Sequence, residues 1–152
     1  QIPREKGADA TRGKALFAKH CAACHVFHGE GGKVGPDLTT ADRKNRGYML
    51  AQIVDPSGYI RPEFVVQTVL TTDERKLSGV AKEVGETIEL SNFVDNKVVT
   101  TVIPKKDVAD VRPSAVSLMP EKLLDTLTDP EVADLFAYLA SDVPKNPGVD
   151  TP

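Results

Sequence analysis

Residues 20 to 29 read HCAACHVFHG, which places both cysteines and all three histidines of a 152-residue chain within ten positions. Three chemistries use such a cluster. A redox C-x-x-C of the thioredoxin kind sits after a strand, at the start of a helix. The stretch before this one, ADATRGKALFAKH, has no strand character. A zinc site would combine Cys21 and Cys24 with two of His20, His25 and His28. Structural zinc, however, usually takes its ligand pairs from separate knuckles, and the chain has no second one. The third is covalent haem attachment, for which C-x-x-C-H is the signature. Each thiol then adds across a haem vinyl group, and His25 is carried beneath the iron. Cysteines three positions apart would make a poor structural staple, because so short a loop constrains the unfolded chain little. The decapeptide points to haem.

The flanking residues must form the elements that hold this motif. Upstream, Asp9 can cap a helix in which Gly13, Phe17 and Cys21 recur every four residues on one face. A glycine inside a helix costs up to about 1 kcal/mol, which close approach of another helix would explain. Downstream, a glycine-rich loop runs into Gly35-Pro36-Asp37-Leu38. Pro36 has no N–H but offers a carbonyl, and a metal-bound histidine usually donates its second ring N–H to such a group. Near the C-terminus, Thr128-Asp-Pro-Glu131 reads as a capping box with proline just inside a helix. Val132, Leu135, Phe136 and Leu139 continue it as one apolar face, predicting a helix that ends near Asp142.

The array G-x-x-x-F-x-x-x-C-A-x-C-H, then G-P-D-L, then a methionine before L-F-A-Y-L, resembles a class I c-type cytochrome. The resemblance covers residues 8–59 and 113–142. It implies a mainly α cytochrome c fold, with N- and C-terminal helices crossed around one haem c and its iron. It further implies that Cys21, Cys24, His25, Pro36, Leu38 and Met119 bind the cofactor. His25 and Met119 would be the iron ligands, and the Pro36 carbonyl would receive the His25 Nδ1–H.

Two methionines compete for the sixth position. Met49 lies in RGYMLAQIVDP, where it shares a helical apolar stripe with Leu50, Ile53 and Val54, as a core residue would. Met119 precedes Pro120, which holds it extended and is expected to start the next helix, EKLLDTL. A sulfur on a constrained loop suits an axial thioether. His20 and His28 remain alternatives in a bis-histidine arrangement, and an open sixth site is another.

Between the two blocks the periodicity changes. FVVQTVLT, KLSGVAKEV, TIELSNF and KVVTTVIP are rich in β-branched residues and separated by turn signals. They predict a four-strand antiparallel meander inserted at 64–103, a folding unit apart from the haem pocket that acts as a lid or a docking surface. With the S-L-M-P-E-K-L-L-D-T-L that follows, the insert is similar to the haem-binding domains of Planctomycetes and Verrucomicrobia. An Asp-Gly turn usual in those domains is Asp73-Glu74 here. That resemblance extends over nearly the whole chain, read as a single domain over 1–152. It implies the C-terminal part of a large exported protein with dehydrogenase or helical-repeat regions.

Composition narrows the function further. A net charge of −3 leaves no basic footprint for nucleic acid. No apolar run approaches the roughly 20 residues of a membrane-spanning helix. Covalent haem attachment normally takes place outside the cytoplasm, so the expectation is a periplasmic or otherwise exported bacterial protein. Iron closed by His25 and Met119 can change valence without binding substrate. The expected role is therefore one-electron transfer rather than catalysis, with a redox protein or a fused dehydrogenase domain as partner. The alternative is a sensor or enzyme with a displaceable sixth ligand.

Overall fold

A computed structural model of the protein describes residues 7–142. It contains three α-helices, Ala10–His20 (α1), Arg46–Val54 (α2) and Asp129–Leu139 (α3). Five strands lie between α2 and α3: Val66–Thr71 (β1), Lys76–Val84 (β2), Thr87–Val94 (β3), Lys97–Pro104 (β4) and Val108–Pro113 (β5).

α1 begins where its cap predicts: the Asp9 carboxylate accepts the Thr11 N–H at 2.6 Å. α3 begins with the capping box, Glu131 accepting from both the N–H and the hydroxyl of Thr128 at 2.8 Å. The two helices pack directly on each other. A Cβ on Gly13 would run into the Asp134 carbonyl and come within 2.8 Å of the Tyr138 Cβ, so only a glycine permits this approach. Phe17, Phe27, Met49, Leu135, Phe136 and Leu139 form the buried core beside it. α3 stops at Leu139 rather than near Asp142. The Arg43 guanidinium takes the carbonyls of Leu139 and Ser141 at 2.8 and 2.6 Å, a cation on the negative end of the helix.

A buried carboxylate ties the helix pair together. Asp134 accepts from the Asp9 N–H at 2.7 Å and from the Arg12 guanidinium at 2.6 and 2.9 Å. The Arg12 bond, then the Asp9 N–H, hold its carboxyl below the usual range. A depressed folded-state pKa stabilises at pH values above the unfolded value of about 3.9, and the contribution is lost as pH falls through the folded value. The melting-temperature gap between the native protein and Asp134→Asn should therefore be widest near neutrality and close in acid. A gap independent of pH would show that the carboxylate's charge contributes nothing.

The strands form one antiparallel sheet in the order β4-β3-β2-β1-β5. β2 and β4 occupy the predicted segments, but the insert has a fifth strand and extends to Pro113 instead of 103. β5 reads as a polar segment because Asp110 and Arg112 alternate along it, and its pairing partner, β1, lies far back in the chain. The strands together hold more residues than the α-helices, so the fold is α plus β rather than mainly α.

The connection from β4 to β5 determines the shape of the sheet. Only three residues separate the two opposite edge strands. They can span roughly 14 Å, whereas five flat strands would place the edges about 19 Å apart. The sheet therefore curls. Its concave face buries Val69, Leu90 and Ile103, contributed by β1, β3 and β4. In the β1–β2 turn, Glu74 takes a left-handed φ of 65°, the conformation that the glycine of an Asp-Gly turn would supply.

Candidate haem cavity

The C-A-A-C-H motif follows the last turn of α1. Cys21 is the C-cap, and the His25 N–H returns to its carbonyl at 3.0 Å. The thiols therefore sit at the negative end of a helix dipole, the reverse of a redox C-x-x-C. Burial, with the charge of Cys24 adding to it, pushes the Cys21 thiol up to about 12. Burial also raises Cys24. Thiols held neutral are poor at disulfide exchange, which argues against the thioredoxin-like reading. Among the described residues, no group of three or more His, Cys, Asp or Glu side chains is placed to hold a metal ion, so the zinc reading finds no support either.

His25 Nδ1 lies 2.8 Å from the Pro36 carbonyl oxygen. A carbonyl can only accept, so Nδ1 carries the proton and Nε2 keeps its lone pair. Burial lowers the His25 pKa, opposed by the Pro36 bond, which favours the neutral ring that a metal requires. Gly35 lies against the ring: a Cβ there would meet Cε1 at 2.7 Å and Nδ1 at 2.9 Å. Proline and glycine thus fix the imidazole from two sides.

These residues open onto a cavity of about 600 Å³. Cys21, Cys24, His25, Pro36, Leu38 and Met119 all line it, so the structure brings together the whole site set predicted from the sequence. Met119 is half-buried, and its N–H is fixed by the Ser117 hydroxyl at 3.1 Å. Ser117 is itself anchored to the Ser57 hydroxyl at 3.1 Å. Pro120 does not start an α-helix. Lys122 is left-handed, and only a 3-10 turn, Leu123–Thr126, follows. Leu124 and Leu127, three apart, pack on the core, a spacing that suits three residues per turn.

Met49 also lines the cavity, but it is 4% exposed and locked in the helical core. His20 lines the cavity with its Nε2 buried and lacking a hydrogen-bond partner among the described residues. His28 is absent from the lining. It stacks on Phe27 with ring centroids 3.8 Å apart.

One expectation is overturned. The sheet is not separate from the pocket: Val80 of β2, Phe93 of β3 and Asn96 of the β3–β4 turn line the cavity. Sequence reasoning missed them because only the strand register reveals them. Val80 pairs with Ser91, which places Phe93, two residues on, on the same face as Val80. Tyr59 and Arg61, which also line the cavity, carried no signal in the sequence.

A cavity of this size, apolar in most of its lining, with two thiols and a tautomer-fixed imidazole, fits a covalently held haem. The fold and site are those of a c-type haem protein. Residues 10–142 match the family model described as Cytochrome c, and the chain belongs to that family. A cytochrome c-553-like protein of Synechocystis sp. is 34% identical over 65 residues, 42% of this chain and 60% of the relative. The chain thus spans less than two-thirds of that relative's length. Membership implies a covalently bound haem c with its iron, one haem for the one C-x-x-C-H, and haem-based electron transfer as the general role. No helix among the described residues is long and apolar enough to cross a membrane.

Proposed function

We propose that the protein is a one-electron carrier whose haem is attached through Cys21 and Cys24 and ligated by His25 and Met119. One observation carries this reading: both thiols, the Pro36-bound imidazole and a thioether on an anchored loop line a single, largely apolar cavity. The haem supplies a reversible one-electron couple. The chain supplies everything else. The Pro36 carbonyl orients His25 and raises its basicity. The Met119 thioether closes the remaining position and favours the reduced state relative to a second histidine. Leu38 and its apolar neighbours exclude water. With His25 and Met119 both holding the iron, the site would leave no vacancy for a substrate, which would separate a carrier from an enzyme or sensor. The partner is a redox protein or a fused dehydrogenase domain, and the setting is the periplasm or an equivalent exported compartment. The β-insert supports kinship with the haem-binding domains of Planctomycetes and Verrucomicrobia.

Two measurements test this. After acid and organic extraction the intact mass should retain one haem; a mass equal to the bare polypeptide would overturn attachment. The reduced protein should resist carbon monoxide, because the thioether must first leave the iron. Rapid, complete binding would instead establish an open or displaceable sixth site and favour the sensor reading.

A further inference from the structure

We infer that the inserted sheet is a wall of the haem cavity, and that Val80 and Phe93 raise the reduction potential by keeping water off the cofactor. The inference rests on the electron-carrier reading above and adds to it a role for the insert in setting the potential. Strand alternation places Val80 and Phe93 on the face opposite to Ala81 and Leu90, which fill the sheet's own interior. The sheet's curl buries one face. The other carries polar residues such as Ser78, Lys82, Glu89 and Ser91, and on it Val80 and Phe93 form the apolar patch that the cavity takes. Val80 and Phe93 are both half-buried although the sheet's own core is on the far side of them. They are not needed to close that core. Gly79 brings β2 close to β3, since a Cβ there would meet the Ser91 carbonyl oxygen at 2.7 Å, and this fixes the position of Val80 beside it.

The physical consequence has a definite sign. One electron passes from a donor protein to the haem and on to an acceptor, with no atoms transferred. The oxidised centre carries one more positive charge than the reduced one. Removing water disfavours the more charged form, so an apolar wall favours reduction. Opening the wall, or placing a hydroxyl on it, should lower the potential.

The test uses the full haem-loaded chain with Val80→Thr and Phe93→Ala. Val99→Thr is the control, on the same sheet but 49% exposed and outside the cavity lining. Both wall variants should raise the oxidised-to-reduced ratio severalfold at a fixed ambient potential, where tenfold corresponds to about 59 mV for one electron. The control should leave it unchanged. The sulfur-to-iron charge-transfer band of the oxidised form should persist in all three. An unshifted potential in a folded variant that keeps the band would overturn the inference. So would a shift accompanied by loss of the band, because the sheet would then act by holding Met119. If Phe93→Ala does not fold, the near-isosteric Val80→Thr decides alone. Absence of the band from the native protein would overturn Met119 ligation instead, and the shift between native and variant potentials would still decide the wall.

Discussion

Replacing Gly13 by alanine should destabilise the protein by about 3 kcal/mol or more, although the same change elsewhere in a helix is favourable. Glycine in a helix interior is about 1 kcal/mol worse than alanine, so propensity alone predicts a gain. Packing reverses the sign. The new methyl group would collide with the Asp134 carbonyl and crowd the Tyr138 Cβ. Both obstacles belong to the backbone or stem of α3, so no rotamer change relieves them. The helices must separate, which pulls Phe17 from Phe136 and Leu139 and lengthens the Arg12 and Asp9 bonds to Asp134. Overpacking of this kind typically costs about 1–3 kcal/mol, and more where the neighbour is rigid. Urea unfolding of the haem-loaded protein measures it. Ala15→Gly, on the exposed side of α1, should cost only about 1 kcal/mol. A Gly13→Ala variant as stable as the native protein would mean that the two backbones do not meet here.

Features set by local chemistry were legible in the sequence. The Asp9 cap, the Thr128–Glu131 box and the Gly13–Phe17 face each lie within one or two turns of helix, and each is found as predicted. The motif residues and Pro36 were legible for the same reason, since a five-residue signature and a carbonyl eleven residues later are enough to place them. Features that depend on long-range pairing were not. β5 has an unremarkable sequence, and only its register with β1 makes it a strand. Val80 and Phe93 look like ordinary sheet residues until the fold brings their face against the cavity. The helix expected after Pro120 failed because Lys122 turns left-handed and the leucines match a shorter repeat. Asp73-Glu74 was recognised as a departure from Asp-Gly, and the structure shows its consequence, a non-glycine residue holding the left-handed position.

On the proposed ligation by His25 and Met119, replacing Met119 by alanine should produce a protein that binds carbon monoxide within the mixing time. The substitution removes the sulfur without adding another donor. The iron should then become five-coordinate or take up water, and the charge-transfer band should vanish. The potential should fall, because thioether ligation favours the reduced state. Stability should change little by comparison, since Met119 is half-buried and outside the helical core. Met49→Ala should do the opposite. Its side chain is packed among Phe17, Phe27, Leu135, Phe136 and Leu139, and truncating such a residue costs about 2–5 kcal/mol. The ligand band should nevertheless survive, because the sulfur on the anchored loop is untouched. Both methionines line the cavity, so the contrast between the two variants carries more weight than either result alone. An exchange of behaviours would make Met49 the ligand. If neither variant alters the band or the carbon monoxide rate, a histidine holds the iron. His20 then becomes the candidate, since its unpartnered Nε2 belongs to a residue lining the cavity, whereas His28 is stacked on Phe27 outside it.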